Sequence, residues 1–233
     1  MPEPLLTLIT YNIHHGAGLD RQISLARIVG VAADSGAQVA CFQEVDCRVA
    51  RTRRAHQPRE LARALKMKAV YGPTIKWPLG ARYGNLLLTS LPLTTCHTYL
   101  LPGGVEQRGL VEARVKTSAG EVAVYCTHFG LAPDERQLQA TRTAEIIAAC
   151  GVPALLAGDL NEEPGGPSHD ILRAAGLVSL GVTEPTFPAD DPAIHIDHVY
   201  GTEGWKALDA YAIPSLASDH RPVVVELGLR PTA

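Results

Sequence analysis

Acidic, amide and imidazole side chains recur at the ends of short apolar stretches along this sequence. The set comprises Asn12, Glu44, His128, Asp159, Asn161, Asp197, Asp219 and His220. Carboxylate and amide oxygens are the ligands that Mg²⁺ prefers in proteins. A further carboxylate can take a proton from water, and a histidine held by a carboxylate can stay charged and face an anion. These side chains therefore suit the hydrolysis of a phosphate ester, which requires neutralised phosphate oxygens and an oriented water molecule.

The apolar stretches themselves predict the strands that would hold these side chains. Strands are predicted at residues 5–11, 39–42, 85–89, 110–115, 121–127, 154–157, 194–200 and 222–227. Helices are predicted from an N-cap at Ser24 to Gly36, at 58–66, at 133–150 and after Ser168. Because strands and helices alternate without a repeat or linker, the sequence indicates one α/β domain over residues 1–233. Polar residues that end neighbouring strands would converge on one rim of a sheet.

The charge balance bears on the partner. The formal net charge is -3, which disfavours a protein that coats long duplex DNA, since such proteins carry a basic field. Residues 48–68 depart from this average, because they contain several arginines and lysines and Glu60 as their single acid. Such a segment is either a solvated helix face with its loop or a patch that faces phosphate.

Cysteine usage and hydropathy favour a cytoplasmic protein. The five cysteines are an odd number, are widely spread and form no C-x-x-C pair, which is typical of free thiols in a reducing compartment. The sequence has no apolar run of the roughly 18–20 residues that a spanning helix needs, and its N-terminus lacks the features of a signal peptide. We therefore expect a monomer in the cytosol with no membrane span.

Seven motifs carry a resemblance to a known superfamily. In chain order they are TYNIHHG at 10–16, QEVD at 43–46, YGNLLLTSLPL at 83–93, THFG at 127–130, GDLNEEP at 158–164, IDHVY at 196–200 and SDHRPV at 218–223. This order resembles the endonuclease/exonuclease/phosphatase superfamily, which includes DNase I, abasic-site endonucleases, sphingomyelinases and inositol polyphosphate 5-phosphatases. The resemblance covers residues 7–227. It implies a DNase I-like four-layer α/β/β/α sandwich of two packed mixed β-sheets flanked by helices, and metal-dependent hydrolysis of a phosphate ester by water.

The resemblance also implies roles for individual residues. Glu44 matches the principal metal ligand, Asn12 its neighbour in the metal and phosphate site, and Asp219 a second carboxylate on the metal side. His128 matches a contact to the scissile phosphate. Asp159 and Asn161 match the pair that orients the attacking water, and Asp197 matches the carboxylate that orients His220. The oxygen donors suit Mg²⁺, or Mn²⁺, more than Zn²⁺, which favours nitrogen and sulfur ligands.

Two departures from the family pattern are visible. DNase I pairs its strand-end histidine with a glutamate on a neighbouring strand, whereas residues 82–85 here (RYGN) contain no acid. The sequence also leaves little room for the DNA-inserting loops of abasic-site endonucleases. The chain is most similar to compact bacterial members of the superfamily.

Other residues are candidates for substrate contact or have an ordinary structural or surface role. Arg51, Arg53 and Arg54 follow the QEVD motif, and Asn85, Arg108 and Phe187 lie near other motifs; these six are the predicted substrate-binding residues. His14 and His15 either include one residue that contacts substrate or are both structural. His56, His97, His169 and His195 have no partner motif and are expected on the surface or in loops.

Three functions remain open from the sequence. The first is a metal-dependent hydrolase of a phosphodiester, including nucleic acid. The second is a phosphatase or phosphodiesterase that acts on a small or lipid-linked phosphate. The third is a catalytically silent interaction protein with the same fold. The presence of all eight polar residues favours an enzyme.

Overall fold

Two six-stranded mixed β-sheets pack face to face in the computed structural model, which describes residues 4–229. The strands are β1 Leu6–Asn12, β2 Val39–Cys47, β3 Lys68–Lys76, β4 Arg82–Thr89, β5 Leu93–Leu100, β6 Gly109–Thr117, β7 Gly120–His128, β8 Ala154–Asp159, β9 Val178–Ser179, β10 Asp197–Gly201, β11 Trp205–Ala212 and β12 Val223–Leu229. The α-helices are α1 Leu25–Asp34, α2 Gln57–Leu65, α3 Pro133–Ala148 and α4 Pro167–Ala174.

The two sheets have similar internal connections. The first has the order β11-β12-β1-β2-β4-β3, and the second has the order β5-β6-β7-β8-β10-β9. Each contains one parallel pair joined through a helix: β1 and β2 are joined through α1, and β7 and β8 through α3. The remaining neighbours are antiparallel. As a result, the ends of β1, β2, β7 and β8 lie at the same edge of the sandwich.

Alternate residues of the central strands face opposite layers, which explains why the strands read as continuous apolar runs. Leu8 and Val124 belong to the cluster between the two sheets. Ile9 packs outward with Ile28 of α1, and Tyr125 packs outward in the cluster that includes Ile147 of α3. The order of layers is therefore helix, sheet, sheet, helix, and the predicted DNase I-like four-layer sandwich is confirmed.

The strands missing from the sequence prediction are the polar or peripheral ones. β3, β5 and β11 lie at sheet edges, and β9 is only two residues long. Most of β5 is exposed, so its sequence LTTCHTYL lacks the apolar content that marked the central strands. An exposed edge strand needs little apolar surface and carries a weak sequence signal.

Two features of the structure relate to the expected lack of a membrane span and to the expected free thiols. Within residues 4–229, none of the helices is both long enough and apolar enough to span a membrane. All five cysteines are free thiols, and four of them are buried; Cys96 is exposed on β5.

Candidate active site

The ends of β7, β8 and β10 place three polar side chains in one row. The strand register pairs His128 with Asp159 and Asp159 with Asp197. Residues that are paired on neighbouring strands project to the same face of a sheet, so their side chains meet. Gly158 permits the close approach of β8 to β7, since its φ is +159° and a Cβ there would collide with the carbonyl oxygen of Thr127. The row is therefore fixed by the backbone.

Asp159 is at the centre of a buried hydrogen-bond network and is 1% exposed. Its Oδ1 accepts from the Asn161 amide at 2.9 Å, and its Oδ2 accepts from Asn12 Nδ2 at 3.0 Å. The same Oδ2 lies 3.4 Å from His128 Nε2 and 3.7 Å from His220 Nε2. Burial raises the pKa of Asp159 to about 6, although the His220 charge opposes the shift. A carboxylate with this pKa can accept a proton from water near neutral pH.

His220 is held between two carboxylates. Its Nδ1 donates to Asp197 Oδ2 at 2.9 Å, and the same oxygen accepts from Thr186 Oγ1 at 2.6 Å. Burial acts to lower the pKa of His220, but the charges of Asp197 and Asp159 outweigh it and raise the pKa to about 10. Phe187 covers the ring, with the two ring centroids 4.8 Å apart. His220 is thus a buried imidazolium at neutral pH.

The ring of His128 contacts an arginine. Arg108 Nη1 lies 3.2 Å from His128 Nδ1, and both residues are buried. A guanidinium can only donate, so a neutral His128 ring accepts at Nδ1, and its Nε2 lies 3.4 Å from Asp159 Oδ2 and 3.0 Å from Asn161 Nδ2. Burial and the Arg108 charge hold the pKa of His128 well below its usual range. The site therefore has a neutral imidazole next to a fixed cation. This arrangement agrees with the sequence analysis, which found no acid at residues 82–85.

Glu44 lies in a β-bulge of the first sheet. The register of β2 with β4 shifts between Phe42 and Val45, and Glu44 has a left-handed φ of 61°. A bulge turns a side chain away from the regular alternation of a strand, and here the Glu44 Oε1 accepts from Asn12 Nδ2 at 3.2 Å. Asn12 thereby links Glu44 of the first sheet to Asp159 of the second.

The oxygen of the Asn12 side chain has a different partner. Asn12 Oδ1 accepts from the His14 amide at 3.1 Å, while the Asn12 carbonyl accepts from Ser218 Oγ at 2.7 Å. Ser218 also contacts Asp219 Oδ1 at 3.2 Å, and Asp219 Oδ2 lies 3.6 Å from His14 Nδ1. Glu44, Asn12 and Asp219, the three predicted metal ligands, therefore border one region that also includes His14.

Asn161, which follows β8 of the second sheet, and Asn85, on β4 of the first sheet, both support this row of side chains. Asn161 has a left-handed φ of 50°, and its Nδ2 donates to the Phe129 carbonyl at 3.0 Å and lies 3.0 Å from His128 Nε2. Asn85 is buried and donates to the Gly109 carbonyl at 2.9 Å. Gly109 pairs with His128 in the sheet, so Asn85 fixes the backbone next to His128.

The predicted arginines near QEVD lie in different environments. Arg51 makes a two-point contact with the buried Asp46 carboxylate, with both N–O distances 2.8 Å, and its guanidinium lies 5.4 Å from the centre of the Tyr83 ring. Arg53 and Arg54 are exposed and have left-handed backbones. Arg51 and Arg53 line a cavity of about 270 Å³ together with Arg21. Part of the basic segment thus forms a concave surface, and Arg51 is also a structural partner of Asp46.

Four supporting residues were missed in the sequence analysis. Thr186 and Ser218 hold Asp197 and Asn12, Asp46 holds Arg51, and Gln57 bridges the His15 carbonyl and the Asp46 amide at 2.7 and 2.8 Å. Ser218 and Asp46 belong to the SDHRPV and QEVD motifs, so their position in the motifs was an available signal. Thr186 and Gln57 have no such signal, because their roles depend on contacts across the chain.

The expectation of a surface or loop position is wrong for His169, which is buried on α4, whereas His195 lies in a loop as expected but is buried there. Both are buried and flank the buried His198, with ring centroids 4.5 and 4.3 Å from it. His169 Nε2 and His198 Nε2 lie 3.1 and 2.9 Å from the Glu162 carbonyl oxygen. The three rings thus support the loop that carries Asn161, and their burial arises from packing between α4 and β10 that no local pattern shows.

Comparison with known proteins identifies the family. The model of the endonuclease/exonuclease/phosphatase family matches residues 9–220. The chain belongs to this family. Its members are generally hydrolases that act on phosphate esters, and they typically depend on a divalent metal. None of the curated proteins matches the sequence.

Solved structures of family members have the same fold. An endonuclease/exonuclease/phosphatase from Beutenbergia cavernae superposes with a TM-score of 0.84 and 23% identity over 97% of this chain and 72% of the other. A mannosyl-6-phosphatase from Bacteroides thetaiotaomicron has a TM-score of 0.73 and 19% identity over 96% and 100% of the two chains. The human Nocturnin catalytic domain with a bound sulfate anion has a TM-score of 0.74 and 16% identity over 98% and 96%. At these identities, the similarity extends to the fold alone.

Proposed function

We propose that this protein is a metal-dependent phosphoesterase that hydrolyses a phosphodiester by attack of an activated water. The observation that carries the proposal is the arrangement around Asp159. This buried carboxylate has an imidazolium 3.7 Å away on one side, and Asn12 joins it to Glu44 on the other. A proton acceptor, a fixed cation and a metal-type carboxylate are therefore adjacent, as hydrolysis of a phosphate ester requires.

The donors around Glu44 fit a divalent cation. Glu44 and Asp219 supply carboxylates, and neither has a lysine or arginine in a salt bridge with it among residues 4–229. Asn12 would position Glu44 through the hydrogen bond that its amide nitrogen donates. When bound, Mg²⁺ or Mn²⁺ would neutralise charge on the phosphate oxygens.

Side chains of the protein would accept the proton of water and bind the phosphate oxygens. Asp159 accepts the proton of the attacking water, whose oxygen forms the new bond to phosphorus while the ester bond breaks, and the leaving alkoxide takes a proton from solvent. Asn161 keeps Asp159 in place through its backbone amide. His220 donates a hydrogen bond from Nε2 to a phosphoryl oxygen, since its Nδ1 proton is committed to Asp197. Arg108, which contacts His128, offers a further donor to the phosphate.

The basic cavity supports an extended anionic substrate, including nucleic acid. Arg21, Arg51 and Arg53 line it, and its lining residue Ile23 forms a β-bridge with Ala17, which follows the turn that carries His14 and His15. Lysine and arginine contacts to phosphates supply most of the sequence-independent affinity for nucleic acids. A substrate with one phosphate at the site and another in this cavity would use both.

An activity screen tests the proposal. The purified protein would be incubated with Mg²⁺ or Mn²⁺ and with plasmid DNA, single-stranded oligonucleotides, RNA, phospholipids, inositol phosphates and bis-p-nitrophenyl phosphate. We expect metal-dependent release of product from at least one diester, abolished in Asp159→Asn. No turnover of any substrate with either metal would instead support a catalytically silent interaction protein.

A second candidate substrate is a lipid-linked phosphate, and the surface around the site favours it. The segments that join β3 to β4, β5 to β6, β7 to α3 and β11 to β12 all lie at the edge of the sandwich that carries the site. Each has an aliphatic side chain that is more than half exposed: Leu79, Val105, Leu131 and Leu216. Cleavage of a vesicle-bound phosphodiester but not of oligonucleotides in the same screen would select this candidate.

A further inference from the structure

The turn after β1 presents two adjacent histidines beside Glu44. Ligand atoms of His14, His15 and Glu44 all lie within 4.8 Å of one another. The two rings meet edge to face with centroids 4.5 Å apart. We propose that His14, His15 and Glu44 form a mixed nitrogen and carboxylate site that binds a first-row transition-metal ion in preference to Mg²⁺. The proposal deepens the proposed function, because Glu44 is the ligand that the two share.

Backbone geometry explains how neighbouring residues can face the same centre. Side chains of consecutive residues in a strand point to opposite faces, which argues against a shared ligand role when the sequence is read as a strand. Here His14 and His15 have left-handed φ values of 42° and 46° in a short 3₁₀ turn. This conformation brings both rings to one side of the turn. Non-glycine residues rarely adopt it, and two consecutive cases mark a place where the surrounding structure imposes the conformation.

The surroundings hold this turn in place. Gln57, which is fully buried at the start of α2, donates to the His15 carbonyl at 2.7 Å and accepts from the Asp46 amide at 2.8 Å. Asn12 Oδ1 accepts from the His14 amide at 3.1 Å. The turn is thereby tied to β1, to β2 close to Glu44 and to α2, as a preorganised metal site requires.

One ring nitrogen in the turn lacks a partner. His15 Nδ1 is inaccessible to solvent and has no hydrogen-bond partner among the described residues. A buried polar atom without a partner is unusual in a folded protein and points to a missing ligand. A metal ion between His15 and Glu44 would provide it.

The other cluster with metal-type donors is closed by an internal hydrogen bond. Asp159, Asp197 and His220 also place three ligand atoms within 4.8 Å. In that cluster the His220 Nδ1 proton is donated to Asp197 Oδ2, while Asp197 Oδ1 is also buried without a partner. The His14–His15–Glu44 cluster lacks such an internal bond, and the neighbouring Asp219, 3.6 Å from His14, adds negative charge.

The donor set decides the preferred metal. Mg²⁺ takes oxygen ligands and retains several waters. Imidazole nitrogen suits iron, nickel, copper and zinc ions, and two histidines with one carboxylate are the ligand set of non-haem iron(II) sites. The two histidines therefore shift a site that would otherwise suit Mg²⁺ towards a transition metal.

Pulsed electron paramagnetic resonance of the Mn²⁺-loaded full chain tests the proposal without relying on activity. We expect ¹⁴N couplings from imidazole in the wild type, weakened in His14→Asn and His15→Asn and lost in the double variant. Asparagine is the suitable replacement because it tolerates the left-handed backbone. His97→Asn, on the exposed strand β5, is the matched control and should keep the couplings. Calorimetry should show Mn²⁺ affinity reduced at least about tenfold in the double variant, with Mg²⁺ affinity changed far less.

Crystals of the wild type soaked in MnCl₂ provide a second measurement that needs no variant. An anomalous difference peak between the two rings and the Glu44 carboxylate would support the site. Wild-type spectra without ¹⁴N coupling, a peak elsewhere, or equal affinities for Mn²⁺ and Mg²⁺ would overturn it. These outcomes are separate from the proposed function, which fails when no phosphate ester is turned over, whatever the ligands of the metal are.

Discussion

His220 Nε2 lies 3.7 Å from Asp159 Oδ2, while the opposite nitrogen of the same ring donates to Asp197 at 2.9 Å. The two carboxylates are both buried but have different partners. Asp197 is bonded to His220 and Thr186, whereas Asp159 receives neutral amide donors from Asn12 and Asn161. In the proposed mechanism, this difference makes Asp197 the carboxylate that holds the cation and Asp159 the proton acceptor.

The first prediction is the pH dependence of kcat. Asp159 must be deprotonated to accept a proton, so kcat should fall as the pH drops below about 6, the pKa of this carboxyl. His220 must be protonated to donate, so kcat should also fall as the pH rises above about 10. In Asp197→Asn the basic limb should move to lower pH, because burial then lowers the pKa of His220 with less opposition from negative charge. An unchanged basic limb in that variant would contradict the role given to Asp197.

The second prediction concerns the two groups that act on the reacting atoms. A positioned acid or base contributes about 10²–10⁴-fold in rate, so Asp159→Asn and His220→Ala should each lower kcat by at least about 100-fold. Circular dichroism should show the wild-type fold in both. His97→Ala, far from the site on exposed β5, should retain wild-type kcat. The mechanism would be wrong if His220→Ala turned over the true substrate at the wild-type rate.

The third prediction is a stability effect at Thr186. Its hydroxyl donates to the buried Asp197 carboxylate at 2.6 Å, and a hydrogen bond to a charged group contributes about 1.5–3 kcal/mol. Thr186→Val keeps the side-chain shape and should lower the free energy of unfolding in urea by roughly that amount. Thr95→Val on exposed β5 is the control, with an expected change within about 0.5 kcal/mol. Equal stability of the two variants would show that the hydroxyl does not hold Asp197.

The central strands and the residues at their ends were predictable from the sequence. Strands such as β1, β7 and β8 are buried on both faces and appear as apolar runs, and the polar residues Asn12, His128 and Asp159 interrupt those runs where the strands end. The burial of these strands can therefore be predicted from the types of their own residues. The order of the motifs then indicated the family, because several weak patterns in a fixed order are far rarer than any one of them.

The features that depend on backbone irregularity or distant contacts were not predictable. Reading residues 12–15 as a regular strand separates His14 from His15, whereas the actual turn brings their rings together. The bulge that redirects Glu44 likewise depends on its pairing with β4 rather than on its own segment. Arg51 was predicted as a substrate-binding residue, and only the fold reveals its partner Asp46.

The fourth prediction concerns the metal. Glu44→Gln removes the carboxylate charge with little change in shape, so the affinity for Mn²⁺ and for Mg²⁺ should fall sharply because hard cations prefer charged oxygen ligands. Isothermal titration calorimetry measures both affinities directly. Glu121→Gln, an acid at the far end of β7 from His128, should bind both metals like the wild type. Unchanged metal affinity in Glu44→Gln would remove Glu44 from the site.

The fifth prediction concerns the basic cavity beside the site. Arg21 and Arg53 are exposed and line it, whereas Arg51 is engaged with the buried Asp46. We therefore expect Arg21→Ala/Arg53→Ala to raise KM for an oligonucleotide with kcat nearly unchanged, since these residues would contact phosphates remote from the reacting one. The dependence of KM on salt should also weaken, because fewer phosphate contacts release fewer counterions.

The control for this cavity comes from the same basic segment. Arg59 and Arg63 lie on α2 and line a different cavity, so Arg59→Ala/Arg63→Ala removes the same net charge without touching the predicted contact. If both double variants raised KM equally, the effect would arise from overall charge rather than from the cavity. KM for bis-p-nitrophenyl phosphate, which is too small to reach from the site into the cavity, should stay the same in both. A matching rise with this small diester would place Arg21 and Arg53 at the reacting phosphate and contradict the prediction.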